Sequence, residues 1–198
     1  PGFRKGDRTD IELPTIQRQL LQALKAAGKK IVFINCSGSP IGLEPETKSC
    51  EAILQAWYPG QAGGTAVAET LFGDYNPSGA LPVTFYKNVN QLPDFEDYNM
   101  TNRTYRYFTD KPLFPFGYGL SYTTFTYGEA QIPATAKVNE TIQINVPVTN
   151  SGKMDGDEIV QVYLKKQDDA EGPIKALRAF KRVHIPAGKT VNVTLELT

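Results

Sequence analysis

Histidine, tryptophan and cysteine are scarce in this chain. Its 198 residues include one histidine, one tryptophan and two cysteines, Cys36 and Cys50. A zinc site needs several His, Cys or carboxylate ligands at short spacings, and a Ser-His-Asp relay needs its histidine beside a nucleophile and an orienting carboxylate. The sequence around His184, Arg182-Val-His-Ile-Pro, alternates like a strand and supplies neither arrangement. We therefore predict that His184 lies on a strand surface.

The chain also has no excess of charge and no long apolar run. Lys plus Arg and Asp plus Glu number 21 each, so the net charge is zero. This balance argues against a nucleic-acid partner, which would require a basic surface. No stretch approaches the roughly 18 apolar residues of a membrane-spanning helix. The first residues, PGFRKGDRTD, contain neither an initiator methionine nor an apolar signal region, and we expect them to lie inside a longer chain.

The two cysteines leave two interpretations open. They could form a disulfide across the intervening loop, which would indicate an oxidising compartment. They could equally be two small buried apolar residues.

Helical and strand patterns alternate in the N-terminal half. Residues 14–27 predict a helix, because Pro14 suits its first position and Gly28 suits the residue after its end. Its apolar residues recur at helical spacing: Ile16, Leu20, Leu21 and Leu24. The apolar run at 31–36 predicts a strand covered on both faces, as in a parallel α/β sheet.

The rest of this half predicts further short elements. We expect a loop at 37–49, a strand at 52–58, a helix from Gly63 to Gly73, a turn at 76–79 and a strand at 81–85. Three strands and two helices are too few to close a doubly wound sheet, so the missing strands are expected upstream of Pro1. Residues 88–111 show no clear period and predict a long loop, a feature that is often functional.

From Thr123 onward the hydrophobic period changes to two. Polar and apolar residues alternate at 141–148, 158–164 and 190–197, with turns at 150–152 and 186–188. Several short alternating strands predict a β-sandwich. The last alternating run stops at Thr198, so we expect this sandwich to be short of a strand, which would leave an unpaired edge.

Paired carboxylates are the remaining route to catalysis. Glycoside hydrolysis uses two carboxyl groups that flank the scissile bond. The acidic residues that occur close together are Glu44 with Glu46, Asp94 with Glu96 and Asp97, and Asp155 with Asp157 and Glu158. Asp and Glu are mostly exposed, so we expect solvated loops at each place.

Two other segments have both a structural and a functional interpretation. The glycines at 60–64 follow a strand and open a helix, a context that suits anion binding. They lack the G-x-G-x-x-G spacing and the lysine of a phosphate loop, which favours a tight turn. Asp7 and Arg8 precede the first helix, where Thr9 and Asp10 could simply form local backbone hydrogen bonds.

Five segments, taken in order, resemble glycoside hydrolase family 3. They are GDRTDIELP, AWYPGQAGGTAVAETLFGDYNPSGALPVTF, FPFGYGLSYTTF, VTNSGKMDGDEIVQVYL and LRAFKRVHIPAGKTVNVTLEL. The resemblance implies an incomplete, mostly parallel α/β sandwich domain at residues 1–118. A fibronectin type III-like β-sandwich would follow at 119–198. YNMTNRTYRYFTDKPLFPFGYGLSY is most similar to β-xylosidase members, with β-glucosidases next.

The same resemblance implies an activity and its setting. Members are retaining enzymes that release β-linked sugars from non-reducing ends, without a metal or organic cofactor. The implied partner is an oligosaccharide bound together with an N-terminal barrel, the implied location is periplasmic or secreted, and a homodimer of the full enzyme is compatible with it. No nucleic-acid or membrane partner is implied.

The resemblance assigns no catalytic residue to this chain. The family's nucleophile is an Asp on the N-terminal barrel, and its acid/base Glu precedes the GDR-like segment, where residues 1–6 hold no carboxylate. We therefore expect this chain to be inactive alone. Asp7 and Arg8 are candidate substrate-binding residues beside the active site.

Two other functions compete with this one. A stand-alone carbohydrate-binding or adhesion module could stack sugars on aromatic residues: Tyr98, Tyr105, Tyr107 and Phe108. These aromatics could instead fill a core or an interface. A flavodoxin-like nucleotide domain fused to a sandwich would need a phosphate loop, which the sequence lacks.

Overall fold

A computed structural model describes residues 10–197, which form two compact units. The first unit comprises the residues up to Val67 together with Leu81–Gly117. The second comprises Ala68–Ala80 and the residues from Tyr118 onward. Each unit has a hydrophobic core of its own.

The first unit contains a two-stranded parallel sheet and several helices. Its strands are β1 (Val32–Asn35) and β2 (Ala52–Gln55), with Val32 opposite Ala52 and Asn35 opposite Gln55. The helices are α1 (Thr15–Ala26), α2 (Glu44–Ser49), α3 (Gly63–Phe72, which continues into the second unit), a 3₁₀ helix (Val89–Gln91) and α4 (Thr104–Tyr107). The parallel pairing confirms the predicted α/β class.

The two predicted helices are confirmed, and glycines end both of them. Gly28 after α1 has φ +72° and Gly73 after α3 has φ +84°, the left-handed conformation that commonly follows a helix. The apolar face of α1 is less covered than its spacing predicts. Leu21 is buried, whereas Ile16 is 71% and Leu20 60% exposed.

Four local predictions for this unit are wrong. The predicted loop at 37–49 contains α2, which has Pro45 in its first turn. β2 ends at Gln55 instead of reaching residue 58. The predicted strand at 81–85 is reduced to one bridge, between Phe85 and Phe114. β1 is not covered on both faces, because Val32 is 51% exposed.

The core of the first unit lies beneath the parallel pair. Its buried members are Leu13, Leu21, Ile31, Ile41, Leu43 and Phe85. Trp57 and Phe114 pack edge-on against Phe85, with ring centroids 6.0 and 6.3 Å away. The polar segment at 88–111 is mostly irregular, as predicted, apart from its two short helices.

The second unit is an antiparallel β-sandwich, as the alternating pattern predicts. Its strands are β3 (Phe125–Tyr127), β4 (Ile142–Asn150), β5 (Gly156–Leu164), β6 (Ala176–Ile185) and β7 (Thr190–Leu197). One sheet has the order β3-β4-β7 and the other pairs β5 with β6. Inward-facing side chains of both sheets form the core: Val146, Val148, Val160, Ile185, Val193 and Leu195.

Two buried asparagines hold the turns of this unit. Asn150 is fully buried; its amide donates to the carbonyl oxygens of Met154 and Ile185, and its Oδ1 accepts from Thr123 and Gly152. Asn76, in the predicted turn at 76–79, donates to the Asp155 carbonyl oxygen in the same way. Such side chains replace the ladder bonds that the backbone loses at strand ends.

Candidate functional site

The carboxyl ends of β1 and β2 meet at one edge of the parallel pair. Ligands of open α/β sheets bind outside this edge. Here the edge is formed by the loop after β1 (residues 36–43, the β1 loop) and the loop after β2 (residues 56–62, the β2 loop). These two loops form the candidate site.

A polar network fixes the beginning of the β1 loop. Asn35, only 4% exposed, donates from its Nδ2 to Ser37 Oγ at 2.9 Å and to Gln55 Oε1 at 2.5 Å. Ser37 Oγ in turn donates to the Ser39 carbonyl oxygen at 2.8 Å. The Gln55 oxygen accepts from Asn35, and its Nε2 donates to Ser37 Oγ at 3.3 Å, so both amides hold the beginning of the loop.

The β2 loop turns through a residue with an unusual backbone conformation. Trp57 has φ +56°, which is uncommon for a non-glycine residue and is often found at functional sites. The turn directs the Trp57 ring onto Phe85 in the core, while Tyr58 emerges 80% exposed. The Tyr58 ring lies across Gly38 of the β1 loop: a Cβ added to Gly38 would come within 2.5 Å of Tyr58 Cε2.

The segment that enters α1 is tied to the β1 loop. The Gly42 amide donates to the Ile11 carbonyl oxygen at 2.7 Å, and Glu12 forms a parallel bridge with Gly42. Arg18 of α1 donates to Glu12 at 2.8 Å and to both oxygens of Glu46, at 2.7 and 3.1 Å. These ion pairs raise the pKa of Arg18, the hydrogen bond to Glu46 most of all.

The two site residues suggested by sequence, Asp7 and Arg8, lie outside the described residues. Their role stays a prediction. The described chain resumes at Asp10, whose Oδ1 accepts from the Glu12 amide at 2.8 Å. The predicted local backbone hydrogen bond of Asp10 is thus confirmed, although it lies before the helix and α1 has no side-chain cap. The one predicted for Thr9 lies outside the described residues.

The candidate carboxylates have structural partners. Glu46 is 1% exposed and pairs with Arg18, so the expectation of a solvated loop is wrong for this residue. Asp94 accepts the Glu96 amide and Asp97 accepts the Asn99 amide, as in tight turns. The hydrogen bonds from Asn99 lower the pKa of Asp97.

The acidic cluster of the sandwich is bound to its neighbours rather than only to solvent. His184 Nδ1 lies 2.8 Å from Asp157 Oδ1, and Arg182 Nε donates to Asp157 Oδ2 at 2.8 Å. These contacts, the one with His184 first, lower the pKa of Asp157. Glu158 accepts from the Tyr127 hydroxyl at 2.6 Å. His184 itself lies exposed on β6, which confirms the predicted strand-surface histidine.

Other sequence-based expectations are resolved by the same geometry. Cys36 is exposed and Cys50 half-buried, and neither forms a disulfide. The Gly63 amide donates to the Gly60 carbonyl oxygen, and a Cβ at Gly63 would lie 2.3 Å from Pro59 Cβ. These glycines make a tight turn, as the spacing favours. Within residues 10–197, no group of three His, Cys, Asp or Glu side chains could hold a metal ion.

Comparison with known families decides the membership. The model of the glycosyl hydrolase family 3 C-terminal domain matches residues 3–122. The chain belongs to glycoside hydrolase family 3. A second match, to the fibronectin type III-like domain, covers residues 158–198. Both modules expected from the resemblance are therefore present in this family 3 chain.

Curated relatives are much longer than this chain. A xylan 1,4-beta-xylosidase of Xylanibacter ruminicola is 61% identical over 197 residues, which cover 100% of this chain and 23% of the relative. A periplasmic beta-glucosidase of Salmonella typhimurium is 39% identical over 96% of this chain and 27% of its own length. The chain thus spans about a quarter of the proteins that it matches.

Solved structures of the family have the same fold. A β-glucosidase from Erythrobacter marinus aligns with 99% of this chain and 26% of its own, at a TM-score of 0.86 and 40% identity. A β-glucosidase from Listeria innocua, in complex with isofagomine, aligns with 100% of this chain and 30% of its own, at a TM-score of 0.84 and 30% identity.

Proposed function

We propose that this chain is the C-terminal part of a retaining, exo-acting β-glycosidase that removes β-linked xylose from plant-type oligosaccharides. The observation that carries the proposal is the 61% identity to the Xylanibacter ruminicola xylan 1,4-beta-xylosidase along the full match of 197 residues. Identity to the Salmonella typhimurium β-glucosidase is 39%. The higher value favours xylosides over glucosides as substrates.

Retaining hydrolysis needs two carboxyl groups about 5 Å apart. One attacks the anomeric carbon and forms a covalent glycosyl-enzyme, while the other protonates the departing oxygen and later activates water. The neighbouring acidic residues of this chain have structural contacts: Glu46 and Asp157 pair with arginines, and Asp94 accepts a backbone amide in a turn. We therefore assign both catalytic groups to the part of the enzyme outside this chain, which should be inactive alone.

The surface of the first unit supports a larger assembly. Ile16 and Leu20 follow one another at helical spacing on α1, yet both are largely exposed. Helices in globular proteins bury their apolar face against a neighbour. A sheet of two four-residue strands also needs further strands or helices for stability. In our proposal the remaining strands of the α/β domain and the barrel cover these surfaces.

A segment exchange tests this proposal directly. The matching 197 residues of the Xylanibacter ruminicola enzyme are replaced by this chain, which gives a hybrid enzyme. We expect the hybrid enzyme to hydrolyse 4-nitrophenyl β-D-xyloside within about tenfold of its parent, since similar packing preserves the active site. The same parent with the segment deleted is the matched control and should show no turnover.

Two results would contradict the proposal. A folded hybrid enzyme that prefers the β-D-glucoside would refute the xylose assignment. Turnover of either aryl glycoside by the isolated 198-residue chain would refute the assignment of both catalytic groups to the rest of the enzyme.

Asp7 and Arg8 are proposed to shape the wall of the active site. Their position in the GDR-like segment supports this role, since that segment leads into Glu12 and the β1 loop. We expect Asp7→Ala in the hybrid enzyme to raise KM for the xyloside. Unchanged kinetics would exclude Asp7 from the substrate site.

We further propose domain limits at residues 118 and 119 and a periplasmic or secreted location for the full protein. The periplasmic β-glucosidase among the relatives supports the location. Among residues 10–197, no helix has the length and apolar character needed to cross a membrane. Fractionation of the source cells, followed by immunoblotting, tests the location.

The competing binding module finds less support in the aromatic residues. Tyr105 stacks on Phe116 at 4.4 Å, and Phe108 is buried with its ring edge-on to Tyr86 at 5.0 Å. Arg106 lies over the Tyr107 ring. Of the four aromatics proposed for stacking, Tyr98 alone is mostly exposed, at 88%.

A further inference from the structure

We propose that Tyr58, seated on Gly38, forms an aromatic platform on which a β-linked pyranose unit stacks, at the carboxyl edge of β1 and β2. This inference rests on the proposed function for the class of ligand. It adds a subsite for a sugar unit of the oligosaccharide chain, made entirely by residues of the first unit.

The first support is the fixed position of the ring. The two neighbouring aromatic side chains diverge at the left-handed turn: the half-buried Trp57 ring packs against Phe85 of the core, and Tyr58 is exposed. Such a backbone conformation persists only where the surroundings hold it in place. Packing of Trp57 against Phe85 provides this hold. Tyr58 thus follows directly on a half-buried residue that packs against the core.

The second support is the loop beneath the ring. The ring of Tyr58 approaches Gly38 so closely that a Cβ there would lie 2.5 Å from Cε2 and 3.0 Å from Cζ. Gly38 follows Ser37, which the hydrogen bond from Asn35 holds in place. A rigid platform loses little conformational entropy when a ligand binds.

The third support is chemical. A pyranose in its chair form presents a face of C–H groups, and these carry partial positive charge toward the negative face of an aromatic ring. Its hydroxyl groups project sideways, where water or neighbouring polar groups can bind them. Xylose, which lacks the exocyclic CH₂OH group, offers an especially flat face. An exposed tyrosine at the ligand-binding edge of a parallel sheet matches these requirements.

A binding experiment on the isolated chain tests the platform without any need for hydrolysis. Xylotetraose is titrated into the 198-residue protein and its variants, and binding is followed by isothermal calorimetry. We expect Tyr58→Ala to weaken binding about tenfold and Tyr58→Phe to retain it within about twofold, since the ring face is kept. Gly38→Ala should weaken binding as Tyr58→Ala does, because the added methyl group displaces the ring.

Tyr98→Ala is the matched control, since it removes an equally exposed ring elsewhere in the same unit. Binding of xylotetraose that is absent from the parent chain, unchanged in Tyr58→Ala, or lost equally in Tyr98→Ala would overturn the platform. Circular dichroism of each variant establishes that the fold is intact, so that lost binding is assigned to the ring.

The hybrid enzyme separates this inference from the proposed function. With xylotetraose as substrate, Tyr58→Ala should raise KM about tenfold at unchanged kcat, whereas kinetics on 4-nitrophenyl β-D-xyloside should not change. An inactive hybrid enzyme would count against the proposed function, while calorimetry would still decide the platform. Equal effects on both substrates would place Tyr58 beside the reacting sugar and overturn its assignment to a more distant unit.

Discussion

At the scale of single residues, Glu46 is a buried acidic side chain whose charge is met by Arg18. It is almost fully buried, and Arg18 donates to both of its oxygens. We expect Glu46→Gln to lower the free energy of unfolding by about 2 kcal/mol, since the amide keeps one acceptor oxygen for Arg18 but loses the charge that strengthens both hydrogen bonds, while Arg18 retains its bond to Glu12. Urea denaturation of the isolated chain measures this change.

The exposed pair Glu44 and Lys48 supplies the control for that measurement. Their charged atoms are 3.9 Å apart on the surface of α2. Glu44→Gln should change the free energy of unfolding by less than about 0.5 kcal/mol. Equal losses in both variants would show that Glu46 contributes no more than a surface charge.

Glu51 gives a pH dependence whose sign follows from its contacts. The backbone amide of Ile31 and then the ammonium group of Lys25 lower the pKa of Glu51 to about 2. A carboxyl group whose pKa is lower in the folded state stabilises the fold above its unfolded pKa, near 4.3, and this stabilisation fades as the pH falls toward 2. Urea midpoints measured from pH 6 to pH 2 should fall less steeply for Glu51→Gln.

The two partners of Glu51 can be told apart. The hydrogen bond from Ile31 is the larger cause of the shift, so Lys25→Met should preserve most of the pH dependence. A pH profile of Glu51→Gln that is parallel to that of the parent chain would refute the assignment.

At the scale of elements, α1 has an apolar face without sufficient cover. Replacing Ile16 and Leu20 by glutamate should raise the solubility of the isolated chain and leave its thermal midpoint nearly unchanged, because both side chains are exposed. The same double change should destabilise the hybrid enzyme, where this face is proposed to pack. Analytical ultracentrifugation and thermal denaturation measure the two effects, and equal thermal midpoints of hybrid and variant would contradict the proposed packing.

The elements also show what sequence can and cannot predict. The ends of α1 and α3 follow from local signals, namely Pro14 before one helix and Gly28 and Gly73 after the two. The start of α2 carries comparable signals, with Pro45 in its first turn between two glutamates, but its six residues lack a helical apolar period. A helix this short has too few residues to show a hydrophobic period, so the sequence pattern does not reveal it.

Prediction of the candidate site was limited by contacts between distant residues. Two predicted parallel strands share a carboxyl edge, so the sequence was sufficient to predict where the site lies. The pairing of Asn35 with Gln55 depends on strand register. The contact of Tyr58 with Gly38 depends on the left-handed backbone conformation of Trp57. Neither local propensity nor spacing encodes these features. Residues 81–85 fail as a strand for a related reason, since Phe85 bridges only to Phe114.

At the scale of the whole molecule, the chain has two separate cores. Trp57, the only tryptophan, reports on the first through its contact with Phe85. We expect Leu43→Ala to lower the stability reported by tryptophan fluorescence by about 3 kcal/mol, because Leu43 is fully buried and leaves a cavity. An unchanged urea midpoint for this signal would contradict the assignment of Leu43 to that core.

Asn150 plays the corresponding part in the sandwich, where its four hydrogen bonds connect β4 to neighbouring turns. Asn150→Ala should cost about 3 kcal/mol in the transition followed by far-ultraviolet circular dichroism, since several buried carbonyl and amide groups lose partners. Asn192→Ala on the exposed face of β7 is the control and should stay within about 0.5 kcal/mol.

The unpaired thiol of Cys36 gives the molecule a built-in attachment point for a reporter dye. It is exposed at the end of β1, two residues before Gly38, whereas burial raises the pKa of Cys50 and makes its reactive thiolate rarer. A maleimide fluorophore should therefore couple first at Cys36. Its emission should then change when xylotetraose is added, if the sugar occupies the proposed Tyr58 platform, and no residue of the chain needs to be replaced.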